Sequence, residues 1–147
     1  MTSLNIYLAE KKDISDLHDL LKEYKEKDLA DCKFPEVDSV KLNQYLKNFL
    51  NIGKIICIQD LDTDKLIGCC IYNKSEYWFS KQKIVIIQMI FIKKKFRSYK
   101  LMKQILNMVK KKSDNNPIVL SITSKLNIDP VFKRLGFENM GSNWRLT

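Results

Sequence analysis

Arginine is nearly absent from this basic chain. Only Arg97, Arg134 and Arg145 carry a guanidinium, so the 26 Lys+Arg that outweigh 17 Asp+Glu, for a formal charge of +9, are almost all lysine. Proteins that read nucleic acid favour arginine for its bidentate fork. The charge therefore reflects a lysine-, isoleucine- and asparagine-rich composition of the kind an AT-rich genome gives, more than a design for nucleic acid. A nucleic-acid partner stays open on charge alone, and a polyanionic small ligand would gain from the same field.

Long apolar runs are missing too. The longest, Ile84 to Ile92, is broken by Gln88 and falls far short of the ~20 residues that span a bilayer. The first residues, Met1-Thr2-Ser3-Leu4-Asn5, hold no basic segment followed by an apolar one, so no secretory signal is expected. Glycine (4) and proline (3) are scarce, and neither a repeat nor a low-complexity linker divides the 147 residues. One domain is expected, large enough to bury about 68–70% of its unfolded surface. Cys32, Cys57, Cys69 and Cys70 follow no metal-ligand spacing, and adjacent Cys69 and Cys70 would point to opposite faces of a strand. Buried reduced thiols, no metal and a cytoplasmic location are the expectation.

The pattern of what is present alternates helix and strand. Asn5 to Ala9 reads as a short strand. Asp13 is placed to cap a helix to about Lys27, with Ile14, Leu17, Leu20, Leu21 and Tyr24 on one face. The single His18 lies one position outside that stripe, as a surface or boundary residue. Ser39 is placed to cap a second helix that ends at Gly53 in a left-handed stop. Lys54 to Gln59 and Lys65 to Asn73 flank a polar turn and read as a hairpin. The connection Ser75 to Lys83 carries Tyr77, Trp78 and Phe79, expected either to cap an open end of the core or to wall an acceptor site. Ile84 to Ile92 is apolar on both faces, as a central strand covered on both sides requires.

The last third is the most informative. The Ile84–Ile92 strand leads through Lys93-Lys94-Lys95 into a helix from about Ser98 to Lys112, then a second strand-like run, Ile118 to Thr123. The helix is long enough for a crossover joining parallel neighbours. Asp129, Pro130 and Gly136 then bracket a short helix as cap, first turn and stop, before Leu135-Gly136-Phe137 and Glu138. The order is β-α-α-β-β-β-α-β-α-β. The fold class it implies is α/β, a mixed central sheet of six or seven strands flanked by about four helices.

This order, the loop Phe96-Arg97-Ser98-Tyr99-Lys100-Leu101-Met102 and the Asp129-to-Glu138 segment resemble the GNAT acetyltransferase superfamily over nearly the whole chain. The resemblance implies that acetyl-CoA serves as cosubstrate and that an N-acetyltransferase passes its acetyl group to a primary amine in a ternary complex. It implies that the fourth strand splays from the fifth, so that Ile90, Phe91 and Ile92 offer backbone groups to the pantetheine arm. It also implies that the N–H groups of Arg97, Ser98, Tyr99, Lys100, Leu101 and Met102 hold the pyrophosphate, as helix N-termini hold anions. Two departures stand out. Lys100 and Met102 occupy places where the family carries glycine. Phe132 occupies the place of a tyrosine that protonates the departing thiolate, which phenylalanine cannot do.

Candidate bases near the expected site are Glu76 and, through water, Tyr72 or Tyr77, while Gln88 stands where some relatives carry a carboxylate and cannot take a proton. Tyr77-Trp78-Phe79-Ser80 and Gly141-Ser142-Asn143-Trp144-Arg145 resemble a branch of the family found in bacteriophage genomes, with Trp144 expected on a last strand packing on the sheet. An unpaired last strand would support a homodimer. The two departures keep a second reading open: a GNAT-fold binding protein with weakened catalysis, acting on a protein or nucleic-acid partner. A third is a small α/β domain with no ligand, in which no cleft opens between the fourth and fifth strands.

Overall fold

The computed structural model describes residues 3–52, 54–121 and 129–147. Its elements are β1 (Leu4–Leu8), α1 (Ile14–Lys27), α2 (Ser39–Ile52), β2 (Lys54–Asp60), β3 (Lys65–Glu76), β4 (Lys83–Ile92), α3 (Tyr99–Lys112), β5 (Ile118–Leu120) and α4 (Asp129–Arg134). The five strands form one sheet in the order β1-β2-β3-β4-β5, antiparallel except that β4 and β5 run parallel. The expected mixed α/β sheet is therefore present, with five strands among the described residues in place of six or seven.

Alternation along the strands builds two cores. Ile55, Cys57, Cys69, Ile71 and Phe91 pack against Leu17, Leu20, Leu21 and Leu46 of α1 and α2. Ile56, Ile58, Cys70, Tyr72, Val85, Ile87 and Ile92 pack against Leu101, Ile105, Leu106 and Val109 of α3 on the opposite face. Cys69 and Cys70 fall into different cores, as period-2 geometry demands, and all four cysteines are free thiols. Burying each of these side chains contributes about 1.5–3 kcal/mol.

Several local expectations are corrected. Asp13 stands at the N-cap position of α1 as expected, but its side chain makes no cap bond there; it also ends a preceding 3-10 turn, and its carboxylate accepts the Glu10 N–H at 2.8 Å and the Tyr7 hydroxyl at 3.1 Å. Asp38, not Ser39, serves the start of α2, accepting the Lys41 N–H at 3.0 Å. Asp38 stands just before the first helical residue, where a side-chain oxygen meets the N–H three residues on, and Ser39 falls inside the helix. The expected stop at Gly53 and the end of the Ile118–Thr123 strand lie outside the described residues. No strand follows α4: the Gly141 N–H bonds the Asn139 side chain, and Arg145 bonds the Cys32 carbonyl and lies over the Phe34 ring. Those contacts are local or made by side chains, so no ladder forms, and Trp144 is exposed instead of packed on the sheet. β3 runs past β2 from Asn73 and β4 extends beyond β5 at Lys83 and Ile84, so Ser75–Glu76 against Lys83–Ile84 form the end of a two-stranded arm. At its tip Tyr77, Trp78 and Phe79 are exposed and stack on one another, not on the core.

Close approach of β3 and β4 demands glycine at one point. A Cβ on Gly68 would stand 2.7 Å from the Phe91 carbonyl oxygen and 3.0 Å from Ile58 Cδ1. The first of these is backbone and cannot yield cheaply. Gly68→Ala is expected to destabilise the fold by roughly 1–3 kcal/mol, the cost of overpacking, read from the urea midpoint.

Burial also sets an alkaline limit. It pushes the Cys70 thiol from 9.0 and the Tyr72 phenol from 10.0 up to about 12. Both groups are neutral when protonated and have raised folded values. Their contribution is therefore complete below the unfolded pKa and is lost as pH climbs through the folded one. Stability should fall between about pH 9 and 12, and Cys70→Ala should soften the fall; urea unfolding across that window measures both.

Candidate functional site

The site begins where β4 loses a neighbour. β5 pairs with β4 only from Val85 to Ile87, and beyond Ile87 no described strand lies on that side. At the same place β4 bulges: Tyr72 pairs Ile87 and Ile71 pairs Met89, which leaves Gln88 without a partner on β3. From Met89 to Ile92 β4 holds β3 on one edge and pairs with no described strand on the other. Lys93 donates its N–H to Ile67 of β3. By antiparallel alternation Phe91 also turns its peptide groups to β3, and Ile90 and Ile92 turn theirs to the open edge. The Phe91 ring is buried against Tyr24, with centroids 4.7 Å apart. Two of the three expected β4 residues thus present backbone groups to the gap, and Phe91 does not.

The strand then enters a short turn, Lys94–Phe96, and α3. Ser98 caps α3, its hydroxyl accepting the Leu101 N–H at 3.1 Å. The Met102 N–H goes to the Ser98 carbonyl, and the Arg97 N–H to that of Lys94. The N–H groups of Ser98, Tyr99 and Lys100 remain without a protein partner among the described residues. Three free donors at the start of a 14-residue helix make an anion site by geometry alone. Glycine is not needed for it. Lys93, Arg97 and Ser98 have φ of −55°, −67° and −153°, and no residue from 93 to 102 has positive φ.

The side chains of the loop divide their work. Leu101 is buried and Met102 packs beside it on the α3 core, so neither side chain reaches the site. Lys100 is exposed beside the free N–H groups. Arg97 is held elsewhere: its Nε donates to the outward Ile92 carbonyl at 2.7 Å and its guanidinium pairs with Asp28 at the end of α1. Lys93 pairs with Glu23 at 3.2 Å. Arg97 therefore ties the loop to α1 and covers a backbone acceptor that the splayed strand would otherwise leave bare. Across the helix start, Tyr99 meets α4: its hydroxyl donates to the Arg134 carbonyl, and the Arg134 guanidinium lies 3.9 Å over its ring. That contact sets α4 beside the anion site, with Phe132 half-buried and edge-on to Phe137 at 5.4 Å.

Glu76 is not brought to this site. It faces Lys83 and pairs with it at the far end of the arm, five residues, or about 17 Å of strand, from Gln88. Gln88 is exposed at the bulge, its Nε2 donating to Asn73 Oδ1 at 2.9 Å. Sequence reasoning did not find the Gln88–Asn73 pair or the Arg97–Asp28 tie, because both depend on register and on the packing of α1. A groove of about 810 Å³ lies elsewhere, between the start of α1 and the second half of α2, lined by Lys11, Lys12, Ser15, His18 and Lys47. No hydrogen bond joins Ser15 to His18 there among the described residues, so the β4 edge beside the free N–H groups of α3 is the better candidate. Among the described residues no helix is long and apolar enough to cross a membrane.

A parallel β4–β5 pair joined through α3, with a helix start bearing free N–H groups, is a frame suited to holding an anionic ligand, and comparison with known proteins gives the family. Residues 21–145 match the model of the acetyltransferase (GNAT) domain, and the chain belongs to that family. Solved structures share the fold at low identity. An aminoglycoside N-acetyltransferase in complex with CoA superposes with a TM-score of 0.77 at 15% identity, covering 100% of this chain and 95% of that one. A predicted acetyltransferase with acetyl-CoA from Clostridium acetobutylicum gives 0.72 at 21%, covering 99% and 96%. A ribosomal-protein-alanine N-acetyltransferase from Brucella melitensis gives 0.71 at 13%, covering 99% of both chains. Among curated protein sequences, none matches.

The cap is a testable part of this geometry. Ser98→Ala should cost about 1 kcal/mol of stability, seen as a lower urea midpoint with an unchanged slope.

Proposed function

We propose that this protein is an N-acetyltransferase that takes acetyl-CoA as its donor and a primary amine as its acceptor. The observation that carries this reading is the set of three N–H groups, Ser98, Tyr99 and Lys100, without partners among the described residues, at the end of a strand whose Ile90 and Ile92 backbone faces away from β3 toward an edge where no described strand pairs. In this reading the pyrophosphate rests on those N–H groups with Lys100 beside it, and the pantetheine arm runs along β4 like an added strand. The arm gains main-chain hydrogen bonds there, as peptides do when they extend a sheet. Contact with the Ile92 carbonyl requires Arg97 to give up its own bond to that oxygen.

The chemistry needs little from the protein. The amine nitrogen attacks the thioester carbonyl carbon, the carbon–sulfur bond breaks, and its electron pair leaves on sulfur. The amine gives up one proton to water. A thiol of pKa near 8.5 makes a tolerable leaving group near neutral pH, so Phe132 in place of a hydroxyl slows the step without stopping it. The cost of the missing acid is about 10²–10⁴-fold. The likeness of Tyr77–Ser80 and Gly141–Arg145 to the bacteriophage branch supports the same reading. A cytoplasmic location would fit the reduced thiols.

Calorimetric titration with acetyl-CoA and desulfo-CoA, with ATP as control, tests the proposal. Both coenzyme A forms should bind and ATP should not, and Lys100→Glu should weaken binding by about tenfold or more, at least 1.4 kcal/mol. An unchanged dissociation constant in that variant would remove Lys100 and the helix start from the site. Absence of binding to the unmodified protein would leave the fold as a binding scaffold for a protein or nucleic-acid partner.

A further inference from the structure

We propose that Gln88 positions the acceptor, and that the acceptor is a weakly basic primary amine such as a peptide α-amino group, not a lysine-type amine or a polycation. This rests on the transferase reading above. A bulge re-aims the side chain of the residue it leaves unpaired, and here that residue is Gln88, one position past the last β4–β5 pair. The donor's phosphates are held on the α3 side of the sheet, where Tyr72 and Ile87 pack beneath that helix. Met89 packs on the α1–α2 side, and Asn73, the residue after Tyr72, points the same way. Gln88 bonds Asn73 and so lies at the face of the gap opposite the donor. A nucleophile approaches the thioester from that face.

The amide is held with its carbonyl free. Asn73 Nδ2 donates to the Lys74 carbonyl at 3.2 Å, and Asn73 Oδ1 accepts Gln88 Nε2 at 2.9 Å. Gln88 Oε1 has no partner among the described residues and is an acceptor only. It can accept one N–H of an incoming amine and so aim the nitrogen lone pair at the carbonyl carbon, but it cannot take the proton. Its neighbours in the sheet, Ile87, Met89, Ile71, Tyr72 and Asn73, carry no charge near neutral pH. Tyr24, Tyr45 and Cys69, packed on the same side, are held protonated by burial. Glu76 is engaged by Lys83 at the far end of the arm.

With no base among the described residues beside Gln88, the site selects the amine that arrives unprotonated. Near pH 7.5 an α-amino group of pKa about 7.7–8.0 is neutral about 300 times more often than a side-chain amine of pKa near 10.4. That factor is of the size a general base would otherwise supply. The formal charge of +9 disfavours polycationic acceptors further.

The test follows thiol release from acetyl-CoA with three probes: a pool of lysine-free tetrapeptides with free N-termini, the same pool N-terminally blocked with one internal lysine, and spermidine. The free-terminus pool should react about a hundredfold faster than the other two. Its kcat/KM should rise with pH and level off at the peptides' own amine pKa. Gln88→Ala should raise the peptide KM while acetyl-CoA affinity stays unchanged. Gln88→Glu, which supplies a base, should shift the profile to lower pH and bring up the lysine pool; loss of packing alone would do neither. Faster reaction of the lysine pool or spermidine overturns the proposal. So does a Gln88→Ala variant with unaltered KM and profile, or failure of all three probes with protein that binds acetyl-CoA. Failure to bind acetyl-CoA overturns the transferase reading instead.

Discussion

The structure depends on one strand that cannot keep two neighbours. β4 is held by β3 along its whole length, yet pairs with β5 at only three positions before Gln88 bulges out. Every buried peptide group needs a partner, and the strand resolves this unevenly. Phe91 and Lys93 turn to β3, while Ile92 is covered by the Arg97 side chain. What would be a defect in a closed sheet becomes a slot with the start of α3 at one end. The tight β3–β4 contact around Gly68 keeps the slot's firm wall in place.

The second constraint is electrostatic. The free N–H groups that begin α3 favour an anion, and lysines crowd the same corner. Two cations that could also meet a phosphate are already bound: Lys93 to Glu23 and Arg97 to Asp28. These half-exposed pairs contribute little to stability. Their effect is positional: they fasten the turn before α3 to the far end of α1 and leave the first N–H groups of α3 and Lys100 without partners among the described residues.

Much of this was legible in the sequence, and the reasons are physical. The apolar run from Ile84 to Ile92 required cover on both faces, and apart from the exposed Gln88 it has cover. Asp129, Pro130 and Gly136 bracketed α4, and Gly136 does carry the left-handed φ of 93° that ends it. The cap bond at Asp13 and the cap of α2 were misread because Asp13 and Asp38 find partners that depend on turn geometry, not on residue type. The aromatic tip and Trp144 misled for a related reason. Large apolar side chains usually lie in a core, but these sit where the sheet has already ended. The missing glycines at Lys100 and Met102 looked like a lost site, although the loop backbone lies in regions any residue can adopt. Glu76 was named from chemical type alone, and register alone moves it away from the gap.

The central claim is that the backbone at the start of α3 receives the donor's pyrophosphate. Its most direct test is an amide ¹H–¹⁵N correlation spectrum recorded while acetyl-CoA is titrated into the protein. The account predicts that the Ser98, Tyr99 and Lys100 N–H resonances move first and move downfield, as donors do on meeting an anion, with Ile90 and Ile92 following along β4. Saturating acetyl-CoA that leaves those three resonances in place, while moving those of Lys11, Lys12 and Lys47 around the open groove, would contradict it.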